Sequence, residues 1–209
     1  VRLREWTGQT DCPVYVVPDS LFASVSGTVT PQGVLALAQM RHSDIETLTQ
    51  SSEGTDSRRL VVLLEGIQDP GNLGTIFRTA EAAGVSGLIM DSACSDVYAP
   101  KTVRAAMGSS FRLPFAFCGD MPGLVRRMAS EGWTCLAADP RARTDFRSAD
   151  CGARTAVLIG NEGNGLSDAS LAAATLRVSI PMQGEAESLN AAVAAALMMY
   201  MAGFSTFQR

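Results

Sequence analysis

The chain holds a single histidine, His42, among 209 residues. It lies in a polar stretch away from every glycine-rich turn, so a Ser-His-Asp or Cys-His nucleophile system and a histidine-based metal centre are not expected. Cysteine is sparse as well: Cys12, Cys94, Cys118, Cys135 and Cys151 are scattered, odd in number and without a C-x-x-C pair. Such a set predicts reduced thiols in a cytoplasmic protein, with neither a disulfide framework nor a zinc site. Positive charge is not in excess, the formal net charge being -4, so no global basic field announces a nucleic-acid partner. Nor is there an apolar run of the ~20 residues that a bilayer crossing needs. The most apolar span, residues 189–204, has Asn190 at its second position and reads as a buried helix. No signal peptide is visible, and the chain opens on Val1, which suggests that the native N-terminus lies further upstream.

What is present is 46% hydrophobic and 18% charged residues, with 19 glycines and 9 prolines. This is the composition of a globular chain with a substantial core. Residues 14–40 read as strand (14–17), short helix (19–24) and strand (33–38), too little to bury its own face and therefore the end of a small α/β domain. Residues 1–42 are assigned to that domain, and the polar stretch 43–59, with Ser51 to Ser57 at its centre, reads as a linker. From residue 60 to the end, apolar runs alternate with helical patterns: strands at 60–64, 85–90, 133–138, 155–159 and about 178–180, a further apolar run at 111–117, and helices at about 75–83, 100–107, 122–129, 166–174 and from 188 onward. That alternation predicts an α/β fold with a mainly parallel sheet covered by helices on both faces. In such sheets ligands sit at the carboxyl ends of the strands.

Three strand ends carry polar, glycine-bearing turns. The first, residues 68–78, contains Asn72, Gly74 and Arg78 in the spacing N-x-G-x-x-x-R, with Arg78 one helical turn beyond Gly74. The second, residues 160–167, runs G-x-E-G-x-G-L-S with Glu162 between glycines. It matches neither the dinucleotide fingerprint nor a Walker loop, which disfavours a nucleoside-diphosphate site and a nucleotide-dependent oxidoreductase. The third, residues 178–190, runs Ile180-Pro181-Met182 and then Ser188-Leu189-Asn190 before the alanine-rich helix, where Ser188 is the expected N-cap.

In this order and strand context, the three blocks resemble the signature motifs of the SpoU/TrmH family of RNA ribose methyltransferases, within the SPOUT superfamily. Residues 101–108 ahead of 111–114 are similar to a further family block. The resemblance covers about residues 60–203, and residues 14–40, including 30–35, look like the end of the L30e-like substrate-binding domain that many members carry.

The resemblance implies a catalytic domain over 60–209 with a C-terminal deep trefoil knot, a homodimer, and S-adenosyl-L-methionine as methyl donor. By motif, Gly160, Ile180, Met182 and Leu189 would bind the cofactor, and no metal is implied. Arg78 matches the residue that the family proposes as essential. A guanidinium is a poor proton acceptor, so it is expected as a cationic clamp that lowers the pKa of a ribose 2′-hydroxyl, with a substrate phosphate or a water taking the proton. Asn72 and Asn190 would orient the ribose and the Arg78 loop, Ser188 would bind substrate, and Glu162 would pair with Arg78 or fix the second loop. The L30e-like segment favours ribosomal RNA over tRNA as the partner. A knotted RNA-binding module that no longer methylates is the alternative from another class. The arginines at 104, 112, 126, 127, 141, 143, 147 and 154 all lie in the catalytic half; clustered on one face they would form a surface for phosphates, and taken singly each reads as a solvated helix residue.

Overall fold

The computed structural model of the chain describes residues 13–50 and 59–207, in two compact units, residues 1–40 and 41–209. In the first unit one regular element is formed among the described residues, α1 (Asp19–Val25), with Asp19 in the first turn where an acid faces free amides. The runs 14–17 and 33–38, expected as strands, form no strand and pair with no other described residue. Val16 and Leu37 each stand 98% exposed. β-Branched sequence favours an extended backbone, but a strand is completed only by a neighbour that takes its N–H and C=O groups.

In the second unit, the expected linker is not all linker. Residues Ile45–Thr49 form α2, with Leu48 buried against the sheet. A Cβ on Gly87 would lie 2.6 Å from Leu48 Cδ2, so the bare glycine is what gives the leucine its seat. The Ser43 amide donates to the Phe115 carbonyl at 2.6 Å, pinning the chain just ahead of the helix. A five-residue helix with one leucine has too short a period to be seen in sequence. The centre of the expected linker, 51–58, lies outside the described residues.

The sheet is six-stranded and wholly parallel, in the order β3-β2-β1-β5-β4-β6. Its strands are β1 (Arg59–Leu64), β2 (Gly87–Asp91), β3 (Phe115–Cys118), β4 (Thr134–Ala138), β5 (Arg154–Ile159) and β6 (Leu176–Val178). Both faces are covered, as the unbroken apolar runs require. Alternate residues of β1 separate the two cores. Leu60, Val62 and Leu64 join a cluster with α3 (Pro70–Ala82), α4 (Pro100–Ala106) and α7 (Ala191–Phe207). Val61 and Leu63 join a second with α2, α5 (Met121–Ser130) and α6 (Asp168–Ala173). α7 buries Ala192, Ala195, Met198, Met199 and Ala202.

Two details aim the strand ends. Gly74 lies on α3 where a Cβ would fall 2.5 Å from the Thr102 carbonyl oxygen and 2.6 Å from Ala105 Cβ, so α3 and α4 touch backbone to backbone. The last strand ends at Val178, about where it was expected to begin, and Asp139 donates its amide to the Val178 carbonyl at 2.9 Å. Residues 179–190 are therefore free of the sheet and cross its carboxyl edge. Among the described residues no helix is long and apolar enough to cross a membrane.

The seating of α2 is testable. Leu48→Ala removes a fully buried side chain and is expected to lower unfolding stability by about 2–5 kcal/mol in urea titration. A loss within the ±0.5 kcal/mol typical of surface changes would mean that α2 does not hold to the sheet.

Candidate functional site

Because every strand runs the same way, the loops after β4, β5 and β6 emerge on one edge, and there they enclose a cleft of about 610 Å³. Its floor is Ala138, Ile159 and Val178, the last residues of these three strands, and its walls are residues 139–141, 160–166, 179–182 and 186–189 with the first turns of α7. Of the residues predicted to bind a cofactor, Gly160, Ile180, Met182 and Leu189 all line it, and so do Glu162 and Ser188. Asn72, Arg78 and Asn190 do not.

The second loop is the most tightly specified wall. It closes as a small hairpin, with the Asn161 amide donating to the Gly165 carbonyl at 3.0 Å and the Gly165 amide returning to the Asn161 carbonyl at 2.9 Å. A Cβ on Gly160 would meet Gly165 C and Leu166 N at 2.2 Å, so only glycine lets the two ends of the loop cross. Gly165 turns the chain with φ +69°. Asn161 Oδ1 accepts from the amides of Gly163 (2.8 Å) and Asn164 (3.0 Å), while its Nδ2 donates to the Gly66 carbonyl at 2.8 Å. Asn161 thus holds the loop internally and ties it to the end of β1, a role that the motif reading passed over. An asparagine directly after a strand in a glycine-rich turn was the available signal.

Three side chains predicted for the site form one hydrogen-bonded line. Asn190 Oδ1 accepts from the amides of Ala192 (2.9 Å) and Val193 (3.3 Å). Its Nδ2 donates to Asn72 Oδ1 at 3.0 Å, and Asn72 Nδ2 donates to Glu162 Oε1 at 2.9 Å. Glu162 also accepts from the amides of Gln68 (3.3 Å) and Asp69 (3.4 Å). Partial burial works to raise the Glu162 carboxyl, but the Asn72 side chain and these amides outweigh it and hold the group below the usual glutamate value.

One expectation changes here and one is decided. Asn190, not Ser188, caps α7: Ser188 lies three residues before the helix, exposed on the wall of the cleft. Of the two roles expected of Glu162, it has the second: it fixes the second loop against the first and does not pair with Arg78. Arg78 stands on the exposed side of α3 with no hydrogen-bond or ion-pair partner among the described residues. The first loop is held separately. Asp69 Oδ1 accepts from the Asn72 amide at 2.8 Å as the cap of α3, and Asp69 Oδ2 takes Lys101 Nζ at 2.8 Å; the lysine, with the Asn72 amide, keeps the carboxyl low.

The expected arginine surface is also modified. Arg112 is bound to Glu81, whose carboxyl this pair pulls down to about 2. Arg127 pairs with Glu46, Arg141 with Asp139 and Arg147 with Asp145, while Arg154 lies over the Trp133 ring. Arg104, Arg126 and Arg143 are exposed and have no such partner among the described residues.

A wholly parallel sheet whose strand-end loops enclose a cleft of this size defines a small-molecule-binding α/β domain. The chain belongs to the SpoU rRNA Methylase family, whose model matches residues 59–200. The 23S rRNA (guanosine(2553)-2′-O)-methyltransferase RlmP of Bacillus subtilis is 33% identical over 192 residues, which cover 92% of this chain and 73% of that protein. An AdoMet-bound rRNA methyltransferase from Sinorhizobium meliloti is similar in structure with a TM-score of 0.80 and 33% identity, over 88% of this chain and 69% of that one. The SpoU methyltransferase AviRb from Streptomyces viridochromogenes, in complex with AdoMet, gives a TM-score of 0.68 and 37% identity over 79% of this chain and 62% of that one. Among the curated relatives, the chain spans from 66% of the length of an uncharacterised tRNA/rRNA methyltransferase of Synechocystis to 75% of those of Staphylococcus saprophyticus and Staphylococcus haemolyticus.

The cap assignment separates two variants. Asn190→Ala is expected to cost about 0.5–2 kcal/mol of stability, the usual range for a lost cap. Ser188→Ala should stay within about 0.5 kcal/mol of the parent. The reverse ranking in thermal or urea unfolding would restore Ser188 as the cap.

Glu162 gives a pH signature. Its folded pKa lies below the unfolded one, so its contribution to stability is present above the unfolded value and lost as pH falls through the folded value. Glu162→Gln is therefore expected to be less stable than the parent near neutrality, with the gap closing below about pH 4.3, the ordinary glutamate value. A gap that is constant from pH 7 to pH 3 would show that the carboxylate charge contributes nothing.

Proposed function

We propose that the protein transfers a methyl group from S-adenosylmethionine to a ribose 2′-hydroxyl of structured RNA, ribosomal RNA in preference to tRNA. The observation that carries this reading is the cleft: four positions matched by motif to cofactor binding, separated by up to 29 residues in sequence, line one strand-end cavity. A volume of about 610 Å³ suits a ligand of nucleoside size. The donor set also fits, because the Gly160 crossing and residues 179–182 offer backbone groups beside Ile180, Met182 and Leu189, a match for a purine and its ribose.

When bound, S-adenosylmethionine supplies an electrophilic methyl on a sulfonium. The chain's own task is to hold the hydroxyl oxygen in line and to stabilise the charge that develops on it. Arg78 is suited to the second part, being permanently charged, exposed and uncommitted; as a donor only, it leaves the proton to a substrate phosphate or a water. Ser188 presents its hydroxyl from the cleft wall toward substrate. Asn72, Asn190 and Glu162 are positioning residues that fix the first loop, the second loop and the start of α7 relative to one another.

Several finer points belong to the same reading. Residues 139–149 and 179–190 form the crossing of a trefoil knot; in support, the two segments run side by side, the Ser179 amide donating to the Thr144 carbonyl at 2.8 Å and the Phe146 amide to the Ser179 carbonyl at 2.9 Å. A second copy covers α7, which leaves Val193 (48%), Leu197 (41%) and Tyr200 (43%) exposed at helical spacing on an otherwise buried helix. Residues 1–42 are the C-terminal part of an L30e-like substrate-binding domain, on the strength of residues 30–35. A cytoplasmic setting agrees with Cys94, Cys118 and Cys135 being free thiols.

Arg78→Lys tests the mechanism. Mapping of 2′-O-methyl positions in ribosomal RNA, with turnover measured on the RNA so found, is expected to show a loss of about 10²-fold, since lysine keeps the charge and loses the planar fork. Near-normal turnover would remove Arg78 from the reaction. Calorimetry with S-adenosylmethionine on the folded parent decides against the binding-only alternative: no uptake of the cofactor would favour it.

A further inference from the structure

The cleft holds a charged residue that neither the motifs nor the mechanism above uses. Asp139 follows β4 directly, lines the cavity and is 6% exposed. Its Oδ1 accepts from the Arg141 amide at 3.0 Å and from Arg141 Nε at 3.2 Å. Its Oδ2 has no hydrogen-bond partner among the described residues. That oxygen is not sealed from solvent, so the carboxylate stands at the wall of the cleft and not in the core. Arg141 offsets part of the charge, but its side chain is 74% exposed and its head stands in water, where its field is screened. Glu162 and Glu187 line the same cleft, so three acids face one base.

We propose that Asp139 is a specificity-determining residue that makes the cleft prefer a cationic cofactor to its neutral product. This inference rests on the methyl-transfer reading. S-adenosylmethionine carries a sulfonium, and loss of the methyl leaves S-adenosylhomocysteine, a neutral thioether of almost the same shape. Hydrogen bonds to adenine and ribose cannot distinguish the two. A fixed negative charge can, because it acts on the one feature that changes in the reaction. A cavity of this volume is roughly 10 Å across, so a charge anywhere within it interacts appreciably with Asp139 at the effective dielectric of a protein site. The same field gives the neutral product none of the stabilisation it gives the donor, so the product is held by its uncharged contacts alone.

Asp139→Asn is the near-isosteric probe: it keeps an acceptor for the Arg141 amide and removes the charge. Isothermal titration of the full chain with S-adenosylmethionine, S-adenosylhomocysteine and sinefungin, which carries an amine cation in place of the sulfonium, is the measurement. The variant is expected to bind S-adenosylmethionine and sinefungin about five- to tenfold more weakly and S-adenosylhomocysteine within twofold of the parent. In the parent, raising salt should shrink the ratio between the first and the last. Equal weakening for all three ligands would overturn the inference in favour of a neutral hydrogen bond to the adenosine part, and unchanged binding for all three would overturn it outright. A parent that binds none of them would instead sink the methyl-transfer reading. A thermal melt of Asp139→Asn matching the parent guards against a folding artefact, and Asp139→Ser gives a second uncharged variant should it not match.

Discussion

The arrangement of the site depends on a line of hydrogen bonds that can run in one direction only. At one end are the backbone amides of Ala192 and Val193, which can only donate; at the other is the Glu162 carboxylate, which when ionised can only accept. Between them, Asn190 and Asn72 each accept on Oδ1 and donate from Nδ2. The two fixed ends therefore determine the orientation of both amides, which sequence or side-chain shape alone would leave ambiguous. The consequence is mechanical: the start of α7, the start of α3 and the second loop are held at defined separations although they come from residues 72, 162 and 190.

The parallel sheet explains why such a line is needed. In the order β3-β2-β1-β5-β4-β6 the chain builds outward from β1 in one direction and around β5 in the other, so the end of β1 and the end of β5 lie side by side. Loops leaving adjacent strand ends in opposite senses open a crevice. Here the crevice beside β1 is bridged by Asn161 to Gly66 and by Glu162 to the Gln68 and Asp69 amides. What stays open is the adjoining space over β5, β4 and β6. Closing one crevice shapes the next, and the glycine at residue 160 lets the bridging loop double back without filling the cleft.

Sequence made the sheet and the three turns legible because each is a local pattern. Residues 60–64 and 155–159 are unbroken apolar runs, and the glycine spacings sit directly after them. It was blind where the deciding partner is remote. Asn190 and Ser188 are both good caps by composition, and the choice between them is made by Asn72, 118 residues away, which draws Asn190 into line. Glu162 between glycines left open a pairing with Arg78 or a hold on its own loop, and a neutral amide 90 residues distant decides for the second. The strands expected at 14–17 and 33–38 are missing for the same reason in reverse, since propensity is present and no described neighbour pairs with them. Asp139 escaped notice because an Asp-Pro pair after a strand is a common turn; only burial beside a cavity distinguishes it.

Charge shows how an acidic chain can still offer itself to RNA. Net charge averages over the whole surface, whereas phosphate contact is decided by cations free to leave their present partners. Arg112, Arg127 and Arg147 pair with carboxylates on the exposed surface, and such pairs are weak because water and salt compete for both members. A phosphate can replace the carboxylate at small cost, leaving the acid solvated. Arg78, Arg104, Arg126 and Arg143 need not even make that exchange. The cleft is organised in the opposite sense: its acids are tied down, Glu162 by Asn72 and two amides and Asp139 by the turn it closes. Fixed negative charge within and exchangeable positive charge outside is the distribution that would keep a polyanion at the rim and admit a small cation to the interior.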